Sequence, residues 1–82
     1  MIERTIQALA SLEARPAALF VQTASQFASS IYLRMDNKTI NAKSIMGVIS
    51  LGVLDSQSVT IIAEGKDEEQ AVDKLERFLS AV

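Results

Sequence analysis

Eighty-two residues leave room for one core and not for a second, and a chain of this size buries only roughly 60–65% of its unfolded surface. With no cysteine and no histidine, the chain is without disulfides, thiolate or imidazole metal ligands, imidazole base catalysis and phosphohistidine. A net charge of −2, with eight scattered Lys and Arg, argues against the clustered cations of a nucleic-acid surface.

In chain order, Ile2 to Leu9 (IERTIQAL) reads as a first strand, although its alternation is imperfect. Ser11 to Arg15 is a connector, and Pro16 is expected at the first position of a helix, where its missing N–H costs nothing. Ala17, Phe20, Val21, Ala24 and Phe27 then form one apolar stripe, with Gln22, Ser25 and Gln26 on the other face. After Ser29-Ser30, the run Ile31 to Met35 predicts a strand, Asp36-Asn37-Lys38 a turn with Asn37 left-handed, and Thr39 to Ala42 the returning strand of a hairpin.

Ser44 is expected to cap a short helix through Ile45, Val48, Ile49 and Leu51, with Gly52 ending it. Val53-Leu54 leads into a polar turn, Asp55 to Ser58. Val59 to Ala63 is the strongest strand, β-branched at four of its five positions. Asp67 is expected to cap the last helix with Gln70 completing a capping box. Its buried stripe is Ala71, Val72, Leu75, Phe78 and Leu79, while the acids of the first turn and the later Lys74 and Arg77 suit the helix dipole. The order β-α-β-β-α-β-α predicts an α+β fold, an antiparallel sheet with helices on one face, as a single domain over 1–82.

Few residues offer chemistry. Glu13, Arg15, Lys43 and Ser44 stand at element boundaries, where functional side chains tend to sit. A Gly-rich phosphate loop, a Ser-His-Asp set and a paired-carboxylate motif are all missing, so an enzyme is not expected, and no cofactor or metal is implied. No apolar run reaches the ~18 residues of a membrane helix. The start, Met1-Ile2-Glu3-Arg4, lacks the pattern of a signal peptide. The expectation is a cytoplasmic protein without membrane contact.

The segment NAKSIMGVISLGV, residues 41–53, is different. It places Ile45, Met46, Val48, Ile49 and Leu51 in seven residues directly behind a serine. A short helix cannot bury all five on one face, so some of them, Met46 first, are expected to remain exposed as a partner surface. The plain alternative keeps Ser44 as a cap and Met46 as a core filler. A phosphate on Ser44 would add about −1.5 to −2 charges at a helix start, where an anion is favoured. Arg15, also near a helix start, is either part of the recognition of such an anion or a solvated charge.

EARPAALFVQTAS and NAKSIMGVISLGV, followed by GKDEEQAVDKL, together resemble the HPr family of the bacterial phosphotransferase system over essentially the whole chain. The resemblance implies an open-faced β-sandwich, a four-stranded antiparallel sheet with three helices on one side. It also implies that Glu13 occupies the place of the family's phosphate-accepting histidine and Ser11 that of its glycine, while Leu12, Ala14, Arg15, Pro16 and Ala17 keep the pattern. Sugar phosphotransfer is then lost, or nearly so.

The serine motif is complete where the histidine motif is broken. This resembles the branch called Crh, catabolite-repression HPr, although that branch usually carries glutamine where Glu13 stands. By the resemblance, Ser44 is phosphorylated by HPr kinase/phosphorylase. Ile45, Met46 and Ile49 make apolar contacts to a LacI-type catabolite control repressor, and Arg15 supports that interface.

Alternatives remain at this point. One is a phosphocarrier variant using Glu13 as an acyl-phosphate acceptor, and another is a plain interaction module in which Ser44 only caps. Glu13 either mimics a phosphorylated histidine with about half the charge of a phosphate or is simply a non-nucleophilic polar residue. The irregular first strand and the loop 11–15 would permit strand exchange in a homodimer.

Overall fold

The computed structural model describes residues 1–7, 14–51 and 58–80, with the side chains of Ala14 and Arg15 outside that description. The elements are β1 (Ile2–Gln7), α1 (Ala14–Ala24), β2 (Ser30–Met35), β3 (Lys38–Asn41), α2 (Ile45–Leu51), β4 (Ser58–Glu64) and α3 (Glu68–Ser80). Their order is the β-α-β-β-α-β-α order expected from the sequence. The four strands form one antiparallel sheet in the order β1-β4-β2-β3.

Register decides which side chains meet. Ile2, Arg4 and Ile6 lie opposite Ala63, Ile61 and Val59, and Ile31 and Leu33 lie opposite Ala63 and Ile61. Directly opposed residues share a face, so these positions build the covered side, on which Ile31, Leu33, Val59, Ile61 and Ala63 are buried. The other side carries Glu3, Thr5, Thr60, Ile62, Tyr32 and Arg34. There Thr5 and Thr60 pair their hydroxyls at 2.8 Å, and Arg34 reaches Glu3 at 2.9 Å.

The helices close the covered side. Ala17, Phe20 and Ala24 of α1 are buried, with Ala71, Val72, Leu75 and Leu79 of α3 and Val48 and Leu51 of α2. Phe20 meets the half-buried Phe78 edge-on, with ring centroids 5.4 Å apart. Such a pair stabilises by about 0.5–1.5 kcal/mol beyond its area. Arg4 reaches from β1 to α3 and binds Asp73 at 2.7 Å and Glu76 at 2.8 Å. Asp73 first, then Glu76, raises the pKa of that guanidinium.

Several local expectations are corrected. α1 begins at Ala14, so Ala14 and Arg15 belong to the helix and Pro16 is its third residue rather than its first. None of the first N–H groups of a helix has an intrahelical partner, so proline is tolerated there as well. α1 ends at Ala24 rather than at Phe27. The chain then tightens through i to i−3 bonds, Gln26 N–H to Thr23 O and Phe27 N–H to Ala24 O, each 3.2 Å, which keeps Phe27 packed against the core.

In the hairpin, the positive φ of 58° belongs to Asp36, not to Asn37. Met35 pairs with Lys38, leaving two loop residues. A positive φ at the first loop residue and not at the second is the mark of a type II′ turn, whose twist matches the strands it joins.

Asp67 takes the N-cap position of α3, its carbonyl accepting the Ala71 N–H at 2.9 Å, but it and Gln70 do not form the expected capping box. The Asp67 carboxylate accepts the backbone N–H groups of Ala28 and Ser29, each at 2.9 Å, and also the Ser29 hydroxyl. Glu68 reaches back instead, accepting the Gly65 N–H at 3.0 Å. The extension of β1 to Ala8 and Leu9, the residues Ser11 to Glu13, the stop at Gly52 and the turn at Asp55 to Gln57 lie outside the described residues.

Candidate functional site

The serine at the start of α2 is placed by a braced turn. Ala42 donates its N–H to Ile31 O at 2.9 Å, fixing the end of β3 to β2. Asn41 then accepts twice, from the Lys43 N–H on its side-chain oxygen at 2.8 Å and from the Ser44 N–H on its carbonyl at 3.1 Å. The Lys43 ammonium crosses to the carbonyl of Phe27 at 2.7 Å. The turn is thereby tied to the segment that follows α1, and Ser44 has little backbone freedom.

Ser44 is exposed and caps α2 in both senses. Its hydroxyl oxygen accepts the Gly47 N–H at 3.2 Å, and its carbonyl accepts the Val48 N–H at 2.9 Å. A Cβ at position 47 would sit 3.4 Å from both Ser44 Oγ and Ile40 Cβ, so glycine leaves space beside the hydroxyl.

Behind the cap, α2 divides its apolar residues. Val48 and Leu51 are buried, while Ile45, Met46 and Ile49 are 37, 73 and 40% exposed. Burying two and exposing three follows from length: a helix of seven residues turns only about twice. Four of the sequence-selected residues, Ser44, Ile45, Met46 and Ile49, therefore share the outer side of one short element. Arg15 has its backbone in the first turn of α1, a helix that packs against α2. Glu13 and the Arg15 side chain lie outside the described residues.

Among the described residues, Met1, Leu19 and Tyr32 are also exposed apolar residues, beyond those expected from the sequence. Leu19, on α1, is 51% exposed. Its signal is present, because Leu19 falls outside the stripe of Ala17, Phe20, Val21 and Ala24. Lys43 stands at a boundary in the sequence, but its contact with Phe27 depends on where α1 ends and is not legible there.

Among the described residues no group of acids could hold a metal ion, and no helix is long and apolar enough to cross a membrane. What remains is a surface: a fixed, accessible hydroxyl beside an apolar patch, suited to modification and docking.

Known proteins carry the same arrangement of elements. A family model described as "PTS HPr component phosphorylation site" matches residues 2–81. The chain is 53% identical to the HPr-like protein Crh of Bacillus subtilis over 68 residues, 83% of this chain and 80% of that protein. It superposes on the phosphocarrier protein HPr of Bacillus anthracis with a TM-score of 0.92 at 42% identity, covering 96% of each chain. Crh of Bacillus subtilis, solved as a dimer with a swapped domain, matches with a TM-score of 0.79 at 47% identity, covering 96% of this chain and 88% of that one. Its relatives are phosphocarrier or regulatory proteins rather than enzymes, and this chain belongs to the HPr family.

Proposed function

We infer that this chain is a Crh-like regulatory protein of the cytoplasm, switched by phosphorylation of Ser44. HPr kinase/phosphorylase transfers the terminal phosphoryl group of ATP to Ser44 Oγ; the hydroxyl proton is released and ADP leaves. The phosphorylated protein then acts as corepressor with a LacI-type catabolite control repressor. The observation that carries this reading is the exposed Ser44 hydroxyl on a braced turn, directly next to exposed Ile45, Met46 and Ile49.

The physical logic is a change of charge without a change of fold. Phosphorylation adds about −1.5 to −2 charges and further acceptor oxygens. Those oxygens take over the Gly47 N–H that the free hydroxyl accepts, so α2 keeps its cap. The apolar side chains keep their positions and supply the desolvated centre of the contact, while the phosphate sets specificity at its edge. Arg15 supplies a cation to the same polar rim.

The chain has no histidine, so the serine is the site of regulation and sugar phosphotransfer is not its role. A homodimer formed by exchange of β1 through the loop 11–15 belongs to the same reading. Size-exclusion chromatography with light scattering, giving twice the monomer mass, would establish the dimer.

The test of the switch is intact-mass analysis after incubation with ATP and HPr kinase/phosphorylase. Wild type is expected to gain a single phosphate and Ser44→Ala none. No phosphate on wild type, or an equal gain on the variant, would remove the proposed switch.

A further inference from the structure

A second surface lies between α1 and α3, and it shares no residue with the Ser44 patch. Two adjoining clefts of about 400 and 370 Å³ run along it, both walled by Lys74 and Arg77. Thr23 of α1 and Gln26 and Phe27 just after it line one side; Gln70, Lys74, Arg77 and Phe78 line the other. The four α3 residues stand at i, i+4, i+7 and i+8, which is one stripe of a helix.

The electrostatics of this groove are set by Arg4. Asp73 reaches the edge of the first cleft, but its carboxylate is held on the β1 side by the Arg4 guanidinium at 2.7 Å, together with Glu76 at 2.8 Å. The two acids nearest in sequence to Lys74 and Arg77 thus share the Arg4 guanidinium and are not paired with Lys74 or Arg77. Lys43 likewise takes the Phe27 carbonyl, which would otherwise add negative potential at the end of α1. Lys74 and Arg77 are exposed, and neither is engaged in an ion pair or hydrogen bond among the described residues. Arg4 is occupied by Asp73 and Glu76, Arg34 by Glu3, and Lys43 by Phe27, while Lys38 and Lys66 are single cations, unpaired among the described residues, that line neither cleft.

The floor is apolar and rigid. Phe27 and Phe78 are half-buried and packed on the core, and Phe78 is locked edge-on against the fully buried Phe20. A local pair of free cations over two fixed aromatic rings, on a protein of net charge −2, is an unspent positive site on a negative molecule.

We propose that the groove between α1 and α3 docks an acidic, amphipathic peptide segment of a partner protein. Two carboxylates of the segment bind Lys74 and Arg77, and an apolar side chain between them rests on Phe27 and Phe78. Charge complementarity selects this occupant. A nucleic acid needs a longer run of cations than the groove offers, and a small inorganic polyanion would leave the aromatic floor unused.

The test is selection of a phage-displayed random peptide library on the full chain, repeated on the Lys74→Glu/Arg77→Glu double variant. Both side chains are exposed and unpaired, so the variant is expected to keep the circular dichroism of wild type, with only a small fall in denaturation midpoint from the reversed charges near the end of α3. Wild type is expected to enrich peptides with two acids flanking an aromatic or aliphatic residue. Their binding should weaken about tenfold or more in the double variant and fall with added salt. Amide shifts on titration should map to α1 and α3.

Absence of enrichment, enrichment without acids, equal binding to the variant, or shifts centred on α2 would each overturn the proposal. Tripolyphosphate serves as the small-anion control. Tripolyphosphate displacing the peptides at equal affinity would reassign the groove to a small anion and overturn the peptide reading.

Discussion

Asp67 holds Ser29. The carboxylate stands just before α3, yet it is spent on the segment between α1 and β2, where it takes the Ser29 N–H at 2.9 Å, the Ala28 N–H at 2.9 Å and the Ser29 hydroxyl. Ser29 is 1% exposed, so its polar groups have no water to fall back on. The contact joins residues 38 apart in sequence and locks the entry of β2 to the entry of α3. Ser29→Ala is expected to cost about 1 kcal/mol. Asp67→Ala is expected to lower the urea midpoint further, because two backbone N–H groups lose their acceptor as well.

The same pair predicts an acid-dependent stability. The Ser29 hydroxyl first, and then the Ala28 N–H, hold the Asp67 carboxyl below its ordinary value of 3.8. A carboxyl depressed in the folded state stabilises fully above its unfolded value and loses that contribution as pH falls through the folded one. Urea unfolding followed from neutral pH to below 3.8 is expected to show wild type losing stability more steeply than Asp67→Asn. Parallel curves would contradict the assignment.

Gly65 makes the lock close. A Cβ there would come within 2.6 Å of Ser29 Oγ and 2.7 Å of Ser29 Cα, at a φ of 153°. Backbone, not a flexible tip, is in the way. Gly65→Ala is expected to destabilise by about 1–3 kcal/mol, measured by chemical denaturation, and Ser29→Gly should not rescue it, because the Cα clash persists.

Met46 separates binding from folding. It is 73% exposed, so Met46→Glu is expected to change stability by no more than about 0.5 kcal/mol. Binding of the phosphorylated chain to the repressor should nevertheless weaken about tenfold or more, as expected for a charge placed in the apolar centre of a contact. Equal affinities in a calorimetric titration would exclude the α2 patch from the interface.

Glu13 is expected to be replaceable. It is a polar residue where the proposed switch needs no nucleophile, so Glu13→Gln should leave both the extent of Ser44 phosphorylation and the repressor affinity unchanged. A gain in either would show that the fixed charge of Glu13 acts as a phosphohistidine mimic.

The architecture was legible because its signals were local. β-branched residues at Val59 to Ile62, the stripe through Ala17 and Phe20, and Ser44 ahead of an apolar run each read directly as an element. The corrections fall where a residue's local role competes with a distant one. Asp67 holds the cap position of α3 with its carbonyl, but its carboxylate serves Ala28 and Ser29, which only the fold brings to it. Asp36 and Asn37 are both residues that tolerate a left-handed backbone, and the register of Met35 with Lys38 chose between them. At the candidate site, the excess of apolar residues in α2 was countable in the sequence. The brace from Lys43 to Phe27 needed three dimensions.

The most direct test of the Ser44 switch is calorimetric titration of the LacI-type repressor with the chain before and after kinase treatment, beside kinase-treated Ser44→Ala. The phosphorylated chain is expected to bind at least about tenfold tighter than the unmodified one, with no such gain for Ser44→Ala. Equal affinity before and after phosphorylation would contradict the switch, leaving Ser44 as the cap of α2 and nothing more.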